Sequence, residues 1–286
     1  MFKNIVLVAE TGSDITPEQA EQYGIHLVPM HVQLGTVTKD DGTFPPEEVC
    51  AYYDKTGTVP RTSGSTMEDF KPVFERIHAQ WPDKKILYLA YSAVTTCSFH
   101  SAELAVEDMG IDYVTAIDTK QVSVGQAAVV LELAKLLQAS PDMTVEQAAE
   151  EAKKIMARVR MAFIPQNLDY LRAGGRVSNA AAMVGNLLGL HPCIEIEDGY
   201  LLAKKKYRGS MQKVLPILLR DHMEKHALST DHLYFIWAPG FSDELRALVE
   251  KTAAELGVKQ TTWMKTGCVI TCHGGVGAFG VVGLAQ

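Results

Sequence analysis

The sequence predicts an α/β protein, with a parallel sheet built from its first half and a mixed sheet from its second. Three observations carry this. Short runs rich in Val, Ile and Leu (Ile5 to Ala9, Ile86 to Ala90, Tyr113 to Ile117) alternate with helix-length segments, the pattern of β-α-β units. Asp198-Gly199 separates two strand-like runs, Cys193 to Glu197 and Tyr200 to Tyr207, as the turn of a tight hairpin does. Hydrophobic residues make up 47% of the 286, enough for one large core or two ordinary ones.

Taken in order, Ile5 to Ala9 is a first strand, followed by the polar loop Glu10 to Asp14 and a helix from Thr16 to Tyr23. His26 to Leu34 reads as one second strand. Gly35 to Pro46 is turn-rich, with Asp40-Asp41-Gly42 as a reverse turn, and Pro46 opens a helix to Lys55. Thr62 to Thr66 is a hydroxyl-rich loop. Ser65 with Glu68 fits a capping box for a helix from Met67 to Gln80. Strands at Ile86 to Ala90 and Tyr113 to Ile117 each lead through a polar loop into a helix, ending at Met109 and Gln138. Ser140-Pro141 breaks the chain before a helix over Val145 to Ala157. Val159 to Ile164 is a strand that crosses into a second unit.

Leu168 to Arg172 is a short helix stopped by Gly174-Gly175, whose backbone freedom allows a sharp turn and fixes the direction of Arg176. Ser178 to Leu188 reads as a small, apolar helix, either core or the wall of a greasy cavity. Beyond the hairpin come a helix from Ser210 to His226, a strand at Leu233 to Trp237, a helix from Asp243 to Leu256 and a strand at Gln260 to Met264. Three glycines follow His273 within four residues and place its imidazole on a tight turn.

Composition excludes several classes. A net charge of −7 argues against a broad nucleic-acid surface, with Lys204 to Arg208 as a local basic exception. No unbroken apolar window reaches about eighteen residues, so no membrane-spanning helix is expected. The N-terminal stretch lacks the features of a signal peptide, and the five scattered cysteines suit reduced thiols, so a cytoplasmic location is expected. The loop after the first strand is not Gly-x-Gly-x-x-Gly, which leaves a dinucleotide site without support. Cys268-x3-Cys272-His273 invites a metal reading, but further ligands are not evident, and no metal is expected.

The loops at Glu10, Thr62, Ser92 and Asp118 follow strands or precede helices, where ligands of open parallel sheets sit, although each also reads as a plain helix cap. Thr62 and Ser63 stand just outside a helix start, which favours an anion. Arg176 on its turn suits a carboxylate or a phosphate.

Together, Thr62-Ser63-x-x-Thr66, Leu168-x-Tyr-Leu-x-x-Gly-Gly-Arg176, Val184-Gly-Asn-Leu-Leu188, Glu197-Asp-Gly199 and Ile270-x-x-His273-x-Gly-x-Gly277 resemble the DegV family of bacterial fatty-acid-binding proteins. The resemblance implies two α/β domains: a Rossmann-like, three-layer α/β/α domain over residues 1–160 and a mixed-sheet domain over residues 161–286. A long-chain fatty acid would lie between them. Its carboxylate would meet Thr62, Ser63, Ser92 and Ala93, with Arg176 and His273 nearby, facing a separate ATP-dependent fatty acid kinase that makes the acyl phosphate. The protein would be a carrier with no catalytic residues and no cofactor. The sequence departs from the family pattern at Glu10-Thr11-Gly12, where Asp-Ser-Thr is usual, at Ala93, where a second Ser is usual, and at Gly274 and Val276, in place of Thr and Pro. The Ala93 backbone amide is expected to replace the missing hydroxyl. Two other readings remain at this stage: a small-molecule phosphotransferase or hydrolase using His273, and a regulatory ligand-binding module.

Overall fold

The computed structural model describes residues 2–166, 168–177 and 189–286. Strand β1 (Ile5–Glu10) is buried along its whole length and sits inside a parallel sheet. Its neighbours are β2 (Ile25–Val28), which follows α1 (Pro17–Tyr23), and β6 (Lys85–Ala90); β7 (Val114–Asp118) lies beyond β6. Burial on both faces explains why these strands read as continuous apolar runs.

The single strand expected over His26 to Leu34 is two strands. Pro29 lacks an amide proton for the ladder, so the chain leaves the parallel sheet after Val28. It resumes as β3 (His31–Leu34) in a small separate sheet with β4 (Val37–Asp40) and β5 (Arg61–Ser63). The latter two were expected as loops; both are short, polar and at sheet edges, so no apolar alternation marks them. Helix α2 (Glu47–Thr56) lies between them in sequence.

Helix α3 (Met67–Gln80) has the expected bounds, but its cap is one residue later than expected. Thr66 is its N-cap, and the Thr66 amide and hydroxyl both donate to Asp69 Oδ2, at 2.7 Å. Ser65 instead donates to the Pro29 carbonyl at 2.7 Å and so ties the helix start to the end of β2. With α4 (Ser98–Met109), α3 covers the outer face of the parallel sheet.

The inner face meets α5 (Val124–Ala139) and α6 (Val145–Arg158). Almost every side chain of α5 from Val124 to Ala134 is buried, on all sides of the helix. A helix apolar all round belongs between two layers. Here the second layer is a mixed sheet in the order β10-β9-β8-β13-β11-β12. Its strands are β8 (Val159–Ile164), β9 (Leu190–Glu197), β10 (Tyr200–Arg208), β11 (Leu228–Trp237), β12 (Thr261–Lys265) and β13 (Phe279–Ala285). One core therefore runs from Leu7 and Leu89 through α5 and α6 to Ile194, Tyr234 and Val282. On the far side of the mixed sheet lie α8 (Met211–His226) and α9 (Asp243–Glu255), over a second core.

β9 and β10 form the expected hairpin, with Asp198 and Gly199 both at positive φ (48° and 86°). Strand β13 was not expected, because its glycines read as loop. They are packing glycines: a Cβ on Gly280 would come within 2.7 Å of Ile236, and one on Gly283 equally close to Leu233. The expected helix over 178–188, and the Val184 to Leu188 motif in it, lie outside the described residues. The expected boundary at residue 160 falls inside β8.

Candidate functional site

Two short helices pack on each other at the seam between the two large sheets, and the second of them meets the small sheet. Helix α7 (Leu168–Gly174) ends in Gly175 at φ +63°, the left-handed conformation its sequence predicts. Helix α10 (Cys268–Gly274) carries His273 in its last turn. Two buried carboxylates fix the start of α10: Asp14 Oδ1 accepts the Gly267 amide at 2.6 Å, and Asp41 Oδ1 accepts the Cys268 amide at 2.8 Å. Burial pushes both carboxyls above the usual carboxylate range.

His273 faces β5. Its Nε2 lies 2.9 Å from Thr62 Oγ1, across 211 residues of sequence. The other face of the ring is held by α7: a Cβ on Gly174 would lie 2.4 Å from Nδ1, so glycine is what lets the helix end approach. Nδ1 is out of solvent and unpartnered. Burial, helped by the nearby Arg176 guanidinium, lowers the imidazole to about 4. His273 is therefore neutral at pH 7, and the positive charge beside it has to be another residue's. Arg176 takes that part. It is exposed, and it donates from a guanidinium nitrogen to the Gly174 carbonyl at 2.7 Å, so its own turn holds it.

Thr62, Ser63, Thr95, Thr96, Arg176 and His273 line a cavity of about 60 Å³ with a polar wall. Among the described residues on that wall, Arg176 alone is a permanent cation. A second cavity of about 50 Å³ is walled by Val122, Met161, Phe163, Ile236, Ile270 and Phe279. Tyr91, Leu201 and His273 belong to both. The hydroxyl-bearing cavity and the apolar one thus adjoin at three shared side chains. The two cavities have room for a few water-sized groups, far short of an acyl tail, among the described residues.

Ser92 and Ala93 are not in either wall. The fully buried Ser92 hydroxyl donates to the Gly199 carbonyl at 2.9 Å, and the Ala93 amide donates to Asp118 Oδ1 at 3.2 Å. In this structure both donors are engaged within the protein. Ser92 ties the loop after β6 to the hairpin of the mixed sheet, and Ala93 ties it to the end of β7. The same loop turns Thr95 and Thr96 to the cavity instead.

Sequence reasoning placed Glu10 in a polar loop and so missed its burial at the end of β1. This fully buried carboxylate accepts the Tyr88 hydroxyl at 2.5 Å, Gln126 Nε2 at 2.7 Å and the Tyr91 amide at 3.1 Å. Burial raises its carboxyl to about 7, against the pull of those donors. It holds in place the loop that presents Tyr91 to both cavities. The signal was a lone acid ending a run of five apolar residues. Cys268 and Cys272 are buried in a small core with Met30 and Tyr170, and burial pushes the Cys268 thiol up to about 12. The described residues give the suggested metal motif no converging ligand set at this place.

Comparison with known proteins agrees with the architecture. A family model described as an uncharacterised protein of the DegV family matches residues 4–286. The chain belongs to the DegV family. Among curated DegV relatives, a DegV domain-containing protein from Deinococcus radiodurans is 26% identical, over 97% of each chain. A protein of Thermotoga maritima named fatty acid-binding protein is 28% identical, over 73% of each. A solved structure described as a DegV lipid-binding protein from Thermotoga maritima superposes with a TM-score of 0.82, at 26% identity and over 99% of each chain. A DegV structure from Thermus thermophilus shares the fold with a TM-score of 0.88, at 24% identity, over 99% of this chain and 100% of that one. No helix among the described residues of this DegV chain is long and apolar enough to cross a membrane.

Proposed function

We propose that this protein binds a long-chain fatty acid at the seam between its two large sheets and presents the carboxylate to a separate ATP-dependent fatty acid kinase. The observation that carries the reading is the Thr62–His273 contact beside Arg176, set where a polar cavity adjoins an apolar one. Thr62, Ser63 and Thr96 bring hydroxyls to the wall, and Arg176 supplies the charge, for a carboxylate that is costly to bury without them. The tail gains roughly 0.8 kcal/mol per buried CH₂, or about 10 kcal/mol gross over a dozen, before association costs. Space for it comes from repacking. Met30 in the polar wall and Met161 in the apolar wall are unbranched thioethers that adapt to a guest.

Relatives named fatty acid-binding protein and lipid-binding protein support fatty acid as the ligand class. His273 as a nucleophile receives no support, because Nε2 is engaged with Thr62 and, among the described residues, no carboxylate orients the ring. The protein is read as a carrier without chemistry of its own.

The test starts with organic extraction of purified protein and mass spectrometry, which should release a fatty acid. Arg176→Ala and His273→Ala should retain lipid, since the tail dominates affinity, yet lose phosphorylation of that lipid by the kinase. Variants that lose lipid while turning over the remainder normally would contradict this division of labour. Protein that neither yields nor takes up any fatty acid would end the proposal.

A further inference from the structure

The outer face of the mixed sheet holds a cluster that fatty acid binding does not use. On α8, His222 and His226 stand four residues apart, so both rings leave one face of the helix. That face packs on the sheet: His222 is 3% exposed, and the two ring centroids are 4.8 Å apart. Beneath them β9 presents Glu195, while its neighbour Ile194 points into the opposite core, as strand alternation requires. Glu195 Oε2 lies 3.2 Å from His226 Nε2. Among the described residues, Glu195, His222 and His226 form the group of three potential ligands whose donor atoms all fall within 4.8 Å of one another.

We propose that these three side chains bind a divalent transition-metal ion, with zinc(II) as the preferred ion. Three further observations favour it. His222 Nε2 lies 3.3 Å from the Arg160 carbonyl. With that N–H donating, Nδ1 keeps its lone pair, which is how a metal-ligating histidine is usually oriented from behind. Glu195 already holds a cation, since Lys225 Nζ is 2.8 and 2.7 Å from its two oxygens. Lys225 is 52% exposed, so its ammonium can swing into solvent and yield the carboxylate. Access is open as well: Glu195 lines both of two neighbouring clefts, of about 730 and 440 Å³, which include His226 and His222 respectively. Two imidazoles and one carboxylate are a zinc ligand set with a fourth position left for water. The ion would pin α8 to β9.

The experiment uses full-length protein, free of any histidine tag and stripped with chelator, titrated with zinc chloride by calorimetry. Wild type should take up one ion per chain, and cobalt(II) in the same site should give the visible absorption of a tetrahedral centre. His226→Ala should weaken zinc by at least the roughly 100-fold that loss of a mere supporting partner can cost. Glu195→Gln serves the same purpose if His226→Ala does not fold. Lys225→Met should tighten binding, because a competing cation is gone. Fatty acid content should be the same in all variants, which separates this site from the lipid site. Absence of zinc uptake by wild type, equal affinity in the ligand variants, or weaker binding in Lys225→Met would overturn the proposal.

Discussion

At the level of single residues, the site rests on contacts between distant side chains made possible by small ones. Gly174 shows the logic. Its missing Cβ is the space in which His273 Nδ1 sits. Gly174→Ala improves helix propensity on paper but drives a methyl group into the ring. It should cost about 1–3 kcal/mol of stability in chemical denaturation, as overpacking does, and displace His273 from Thr62. Glu10 makes a pH prediction. Its carboxyl is raised from 4.5 to about 7 in the fold, so its favourable contribution is complete below the unfolded value and is lost as pH rises through 7. Measured against Glu10→Gln, wild type should therefore lose stability between about pH 5 and about pH 8; a constant or growing advantage would contradict the assignment. The meeting of Thr62, Ser63, Arg176 and His273 at one cavity was legible, because their short motifs of glycines and hydroxyls mark turns and a helix start. The fate of Ser92 was not legible. Its acceptor, the Gly199 carbonyl, lies 107 residues away, and no local pattern encodes such a partner.

Among the elements, α10 is the part on which the site turns. It is short, and its orientation depends on Asp14 and Asp41, which receive its first amides. Asp14→Ala would leave the Gly267 amide and the Ser123 hydroxyl without their acceptor in a buried place. The expected loss is about 1–3 kcal/mol, and with it a shift of α10 that carries His273 away from Thr62. A melt as stable as wild type, with the His273 ring signals unchanged by NMR, would refute the positioning role. Sequence patterns found most helices and the buried strands, since both periods are strong. They failed at β4 and β5, which are polar edge strands, and at β13, where glycines serve close packing rather than turning. They also set the α3 cap one residue early, because Ser65 and Thr66 are both capping types and only the Pro29 carbonyl distinguishes them.

Across the whole molecule, α5 and α6 form a layer common to both large sheets, and one apolar core spans them. The division of the chain at residue 160 is accordingly a proposal about sheets rather than about cores. The sequence showed a parallel half and a mixed half. It did not show that they close on each other, since an all-apolar helix reads the same whether it has one neighbour or two. The site lies in that closure, with Tyr91 from one side and Leu201 from the other in the walls of both cavities. Binding should then place the polar end of the ligand at Thr62 and its far end against the mixed sheet. A crystal structure with a fatty acid brominated at its terminal carbon measures this directly. The account predicts the carboxylate within hydrogen-bond reach of Thr62 and the anomalous bromine signal inside the apolar region beyond Met161, Phe163 and Ile236. Bromine beside Thr62, or the carboxylate bound away from Thr62 and Arg176, would contradict it.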